Sequence, residues 1–135
     1  MFHYKPDNIN PNGKQRVYFS CHPDDFDYCF QRISDSILKC VRCAIWYADP
    51  NEPYEDIETD LNQMNLFVIP ITTKLLTKKN RTIDVDLPFA VQHHIPILPL
   101  MQEDGLIELY TEFFGDLQYL DENDIDDTAL PYRVL

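Results

Sequence analysis

One acidic residue, Asp86, lies on the connection between two segments that are apolar throughout, Leu66–Ile71 and Ile95–Leu100. Strands without a polar face belong in a parallel sheet that helices cover on both sides. In such sheets, ligands bind and reactions take place at the carboxyl ends of the strands. A carboxylate at this position could stabilise positive charge that develops on a substrate. Asp86 is therefore the first candidate for a catalytic residue.

A group of small polar side chains follows the ends of two predicted strands, Arg16–Ser20 and Leu66–Ile71. Since parallel strands end at the same edge of a sheet, we expect these side chains to line one crevice. They are Ser20, Cys21, His22, Thr72 and Thr73. For Ser20 and His22, capping of the following helix is an equally good interpretation.

The loop before Asp86 is basic, although the chain as a whole is acidic. It carries Lys74, Lys78, Lys79 and Arg81, whereas the formal net charge of the chain is -12. Such a net charge argues against a nucleic acid as the main partner, because its phosphates are repelled. The basic loop is a candidate anion site, but a run of charges is more often a solvated surface.

The composition excludes several classes of protein. With 3 glycines among 135 residues, the chain has no glycine-rich phosphate loop, and a nucleotide would be held by side chains and ordinary backbone amides. The N-terminus lacks the apolar region of a secretory signal, and no apolar run has the length of a membrane span. Four cysteines do not make a disulfide framework in a chain of this size, which predicts a reducing cytoplasm. We expect no metal, because Cys21 and Cys29 lie too far apart along one helix to share an ion.

The predicted elements alternate between strand and helix. Strands are predicted at 16–20, 43–47, 66–71, 95–100 and 117–120, and helices begin at Pro23 and cover 55–63, 88–94 and 106–114. This alternation predicts a flavodoxin-like α/β fold: a five-stranded parallel sheet in the order 2-1-3-4-5, with helices on both faces. Residues 1–15 are polar and rich in turn residues, so they are interpreted as a leader or tail. Residues 16–135 are interpreted as one domain, cut from a longer chain because its last residues look like the opening of another helix.

The chain resembles the Toll/interleukin-1 receptor (TIR) domain family, and in particular its bacterial members. The likeness covers roughly residues 16–120 and lies in the order and spacing of several segments. These are Val17–Ser20 with Asp24 and Asp25, the turn Asp49–Pro53, Phe67–Thr72, and Asp86–Ala90 followed by Ile95–Pro99.

The resemblance implies an enzyme that cleaves NAD⁺ in bacterial antiphage defence, either as a hydrolase that depletes NAD⁺ or as an ADP-ribosyl cyclase that makes a nucleotide signal. It places Asp86 at the position of the family's catalytic glutamate, with a side chain one methylene shorter. By the same resemblance, NAD⁺ is the substrate, and self-association or pairing with other TIR domains is expected. The residues that would contact NAD⁺ are Phe19, Ser20, His22, Trp46 and Asp49, with Lys79 and Arg81 facing the diphosphate.

An alternative is a TIR scaffold that pairs with other TIR domains and has no catalytic activity. Asp86 in place of glutamate favours it, as does Thr82 where that family often has an aromatic residue. Asp86 also suits a structural role, because a carboxylate stabilises the start of a helix through the dipole and the free amides. Trp46, which apolar residues flank, is more typical of a core position than of a ligand contact.

Overall fold

The computed structural model describes residues 2–5, 15–40, 43–48 and 61–121. Within these ranges, six strands form one sheet. They are β1 (Phe2–Lys5), β2 (Gln15–Phe19), β3 (Cys43–Ala48), β4 (Leu66–Ile71), β5 (Ile97–Met101) and β6 (Leu120–Asp121).

The sheet has the order β1-β3-β2-β4-β5-β6. In this order, the five neighbouring strands β3, β2, β4, β5 and β6 pair in parallel. Counted along the chain, these five parallel strands have the order 2-1-3-4-5, so the predicted flavodoxin-like arrangement is confirmed. The connection that follows the central strand β2 covers one face of the sheet, and the connection that follows the central strand β4 covers the other face. Their carboxyl ends form the switch point where doubly wound sheets bind ligands.

The structure adds one strand that the sequence pattern did not predict. β1 lies within the segment interpreted as a leader, and it pairs antiparallel with β3, with Phe2 opposite Ala48 and Lys5 opposite Ile45. Four residues are too few to give a clear alternation of apolar and polar side chains. An antiparallel edge strand on a mostly parallel sheet is common in folds of this class.

Helical segments connect the strands. A 3₁₀ turn (Pro23–Asp25) leads into α1 (Phe26–Cys40), and α2 (Thr73–Thr77) follows β4. A π-helical turn (Thr82–Asp86) continues directly into α3 (Leu87–Gln92), and α4 (Ile107–Phe114) follows β5. Of the helix predicted at 55–63 only residues 61–63 are described, and the turn predicted at 49–53 lies outside the described residues.

Alternate residues of the central strands pack against helices on opposite faces of the sheet, as the period of a strand requires. On one face, Val17 and Phe19 contact buried side chains of α1, among them Ile33 and Ile37. On the other face, strand residues pack against α2, α3 and α4. These strand residues are Tyr18, Phe67, Ile69, Ile71 and Met101. Helices therefore cover both faces, which explains why the strands are apolar throughout.

Helix α3 ends in a paired hydrogen-bond motif, which also explains why β5 begins later than predicted. The amide of Ile95 donates to the carbonyl of Ala90 at 2.9 Å, and the amide of His94 donates to that of Val91 at 3.3 Å. His94 has a φ of 57°, the left-handed conformation that glycine usually supplies at this position. Ile95 thus belongs to the end of the helix, not to the strand.

Replacing His94 with glycine is expected to raise the free energy of unfolding by about 1 kcal/mol, because a side chain is strained at positive φ. Urea unfolding at constant m-value measures the change. The matched control is His93→Gly, since His93 has a negative φ and its ring stacks on Phe89 at 4.1 Å between centroids. The His93→Gly variant is expected to be less stable than the wild type. If both variants lose the same free energy of unfolding, the prediction is contradicted.

Candidate functional site

Asp86 is the last residue of the π-helical turn, and its side chain lies against the carboxyl end of β2. It is 2% exposed. Its Oδ2 accepts hydrogen bonds from the hydroxyl of Ser20 at 2.7 Å and from that of Tyr18 at 3.1 Å. Its Oδ1 accepts one from Nε of Arg81 at 3.2 Å. The carboxylate is therefore surrounded by donors, at the switch point of the sheet.

Local geometry explains how these side chains converge. Tyr18 and Ser20 are two residues apart along the chain at the end of β2, so both project to the same face. Thr82 and Asp86 are the first and last residues of the π-helical turn, in which the amide of Leu87 donates to the carbonyl of Thr82. The hydroxyls of Ser20 and Thr82 lie 2.7 Å apart. Ser20 thus touches both ends of the turn, and π-helical turns occur often at functional sites.

Asn80 fixes the segment that carries this turn. Its side-chain amide donates to the carbonyls of Leu75 at 2.9 Å and Lys78 at 2.7 Å, and its Oδ1 accepts from the amide of Ile83 at 3.0 Å. The residue is buried. It joins the end of α2 to the start of the π-helical turn, and so sets the position from which Arg81 and Asp86 extend.

The environment of Asp86 acts on its acidity in two opposite directions. Burial raises the pKa of the carboxyl above its usual value, because a charge is poorly solvated in the interior. Hydrogen bonds from Ser20 and Tyr18 and the charge of Arg81 lower the pKa, and they offset part of that rise. A buried acid with a specific charge partner is the kind of group found at functional sites.

Asp86 does not cap helix α3. It occupies the position before the first residue of that helix, but its side chain makes no capping hydrogen bond and turns instead towards β2 and Arg81. The structural interpretation based on free helix amides therefore does not describe this residue.

Other polar residues at the predicted crevice are used in capping. Nδ1 of His22 accepts a hydrogen bond from the amide of Asp24 at 3.0 Å, at the start of the 3₁₀ turn. The hydroxyl of Thr72 accepts from the amide of Leu75 at 3.1 Å and donates to the carboxylate of Asp25. The hydroxyl of Thr73 donates to Glu103. These contacts stabilise helix starts and tie the ends of neighbouring strands together.

The remaining predicted contact residues lie in different surroundings. Phe19 is 2% exposed and packs edge-on against Phe30 at 5.2 Å between centroids, on the face that α1 covers. Trp46 is half-buried and packs against the apolar cluster that contains Tyr18. Lys79 is exposed, and Asp49 lies outside the described residues. Of the predicted residues, the described contacts join only Ser20 and Arg81 to Asp86.

Tyr18 and Thr82 belong to the site, although they were not predicted as site residues. Both are 1% exposed. For Tyr18 a signal existed, because it precedes Ser20 by two residues in a predicted strand and so shares its face. Thr82 lies four residues before Asp86, but only the π-helical geometry shows that both residues reach Ser20.

Two surface cavities lie elsewhere on the described structure. One, of about 490 Å³, lies between α3 and α4 and is largely apolar, with Val91, Ile95, Phe113 and Leu117 among its walls. The other, of about 410 Å³, lies beside α4 and β6. Asp86 lines neither cavity.

Two further features of the described residues concern membranes and metal ions. Among them, no helix is long and apolar enough to cross a membrane. No three or more histidine, cysteine, aspartate or glutamate side chains come together there as a candidate metal site.

Comparisons with known proteins give little further information. No family model matches the chain, and no curated protein matches it. One solved structure is similar, a candidate pilus assembly-related protein of Burkholderia pseudomallei, with 9% sequence identity and a TM-score of 0.49 over 90% of this chain and 87% of that protein. At this level of similarity the comparison carries no argument about function.

Proposed function

We propose that this protein is a TIR-type enzyme that cleaves the bond between nicotinamide and ribose in NAD⁺, with Asp86 as its catalytic carboxylate. The observation that carries the proposal is the position of Asp86. An acid with a raised pKa lies at the switch point of a doubly wound sheet, held by Tyr18, Ser20 and Arg81. The resemblance to TIR domains supplies the substrate, and it also suggests a role in cytoplasmic antiphage defence.

In the proposed reaction, the bonding electrons leave with the nicotinamide nitrogen, and positive charge develops on the ribose. Such oxocarbenium-like transition states also occur in glycoside hydrolysis. The negative carboxylate of Asp86 stabilises this charge. Water then adds to the ribose carbon and loses a proton to the solvent, which gives ADP-ribose; attack by an adenine nitrogen in place of water gives a cyclic product.

Arg81 and Lys79 provide the cationic side of the proposed site. Arg81 donates a hydrogen bond to the carboxylate of Asp86. Lys78 and Lys79 precede Arg81 in the chain, and both are exposed. Guanidinium and ammonium groups suit the two phosphates of NAD⁺. Because Asp86 is 2% exposed, we propose that the side chain of Arg81 moves aside when the dinucleotide binds, so that Oδ1 of Asp86 reaches the ribose while Oδ2 keeps its hydrogen bonds to Tyr18 and Ser20.

The test is incubation of the purified protein with NAD⁺ over a series of high protein concentrations, since TIR enzymes usually act when assembled. Released nicotinamide is measured by chromatography. Release that rises with protein concentration and is absent in Asp86→Asn supports the proposal. No release at any concentration, or equal release by the variant, rejects it.

A second candidate function is a non-catalytic scaffold for TIR–TIR pairing. The burial of Asp86 favours it, because both carboxylate oxygens already accept hydrogen bonds from the chain itself. Exposed apolar side chains at the groove between α3 and α4, such as Val91 and Phe113, would suit an interface. Light scattering over the same concentration series separates the two functions: association without nicotinamide release supports the scaffold.

A further inference from the structure

We infer that Tyr18 and Ser20 are positioning residues, which hold Asp86 in its ionised form and orient it so that Oδ1 meets the substrate. The inference deepens the proposed function and rests on it for the identity of the substrate. Its structural part concerns only the carboxylate and its neighbours. We call Tyr18, Ser20 and Thr82 the hydroxyl rack.

Two members of the hydroxyl rack, Tyr18 and Ser20, occupy both lone pairs of Oδ2. An oxygen of a carboxylate offers two lone pairs. The hydroxyls of Ser20, at 2.7 Å, and Tyr18, at 3.1 Å, donate to this one atom. A substrate hydroxyl that approached Oδ2 would have to displace one of them.

Thr82 fixes the direction of the bond from Ser20. The hydroxyl of Ser20 has one proton, and that proton points to Oδ2. Ser20 therefore accepts the bond that it shares with Thr82, and the proton of Thr82 points to Ser20. The chain of donors runs from Thr82 through Ser20 to Asp86, so that it favours the ionised carboxylate over the protonated one.

Oδ1 is the atom left for a ligand. Among the described residues, it accepts one hydrogen bond, from Nε of Arg81 at 3.2 Å. Its second lone pair can therefore accept a ribose hydroxyl without the loss of a contact to the hydroxyl rack. Arg81 is 11% exposed, so this side of the carboxylate is the more open one.

Two members of the hydroxyl rack, Tyr18 and Ser20, are fixed by the sheet. β2 is a central strand that pairs with β3 and β4, and the amide of Ser20 donates to the carbonyl of Val68 at 3.0 Å. The ring of Tyr18 packs edge-on against Phe67 at 5.0 Å between centroids. Donors that cannot turn away are the kind that preorganise a charged group. The groups described as facing the carboxylate are Tyr18 and Ser20 from β2 and Arg81 from the loop, and Arg81 is the only charged group among them.

The experiment is a carbon NMR titration of the Asp86 carboxyl in the full chain without NAD⁺; the signal is identified by its absence in Asp86→Asn. Tyr18→Phe and Ser20→Ala are each expected to raise the titration midpoint by about one pH unit, since each removes a donor to the charged form. Thr82→Val is expected to raise it less, because Thr82 acts through Ser20. Tyr119→Phe is the matched control, since Tyr119 has no described contact with Asp86, and its midpoint is expected to equal that of the wild type.

Unchanged midpoints in folded Tyr18→Phe and Ser20→Ala would overturn the inference, as would a shift of the same size in Tyr119→Phe. With active enzyme, the acidic limb of the pH–rate profile is expected to move in Tyr18→Phe by the amount seen in the titration. If the midpoints move but no variant and no wild-type sample releases nicotinamide, the hydroxyl rack stands and the proposed function fails. If nicotinamide is released and the midpoints do not move, the proposed function stands and the inference about the hydroxyl rack fails.

Discussion

Asp86→Asn is expected to lower the rate of nicotinamide release by about 100-fold or more, since loss of one preorganised electrostatic group costs a catalyst that much. The amide has the size of the carboxylate and can still accept from Arg81 and pair with Ser20. It lacks the negative charge that the ribose cation requires. Initial rates at saturating NAD⁺ measure the effect, with circular dichroism as the check on the fold.

Asp84→Asn is the matched control for this measurement. Asp84 lies in the same π-helical turn, but its side chain is exposed and has no described bond to Asp86. The control is expected to keep the wild-type rate. In the wild type, the rate is expected to rise with pH through the raised pKa of Asp86, because only the ionised form stabilises the cation. An equal fall in the rate of nicotinamide release in both variants would show that the rate depends on the net charge of the protein and not on Asp86 itself.

Asp86→Ala is expected to lower the free energy of unfolding by about 3 kcal/mol at neutral pH, because it removes the buried carboxylate that accepts a hydrogen bond from the guanidinium of Arg81. It also removes the acceptor of the hydroxyls of Tyr18 and Ser20, which are buried. Asp86→Asn is expected to lose less, since the amide oxygen still accepts hydrogen bonds. Urea unfolding of the two variants and the wild type measures the difference, and equal stability of the alanine variant and the wild type would contradict it.

The pH dependence of the same measurement has a definite sign. Because burial raises the pKa of Asp86 above its ordinary value of 3.8, the folded protein binds this proton more tightly than the unfolded chain. The stability of the wild type relative to Asp86→Asn is therefore greatest below that ordinary value, and it declines as the pH rises through the raised pKa. A relative stability that increases with pH over this window would show that the donors outweigh burial.

The sequence alone determined the framework of this protein. Segments such as Leu66–Ile71 are apolar on both faces, and only a parallel sheet with helices on either side buries both. The helical spacing of the apolar residues Phe26, Phe30, Ile33 and Ile37 predicts α1. The alternation of strands and helices, with right-handed crossovers, left the strand order 2-1-3-4-5 as the commonest choice. These features are local or follow from chirality, so they can be deduced without coordinates. The resemblance to TIR domains stays a prediction that the comparisons do not test.

Only the tertiary structure decided how the candidate site is built. Tyr18 and Asp86 are 68 residues apart in sequence, and the bond between them depends on where the π-helical turn meets the end of β2. Phe19 and Ser20 are neighbours in the chain, yet they face opposite sides of the sheet, so one lies in the core and the other contacts the acid. Side-chain direction at the end of a strand and the pitch of a single helical turn are set by packing against distant segments. A pattern of residue types along the chain does not specify those contacts. Asp86, Ser20 and Arg81 could therefore be predicted as site residues, whereas the hydrogen bonds that join them, and the part that Thr82 takes, could not.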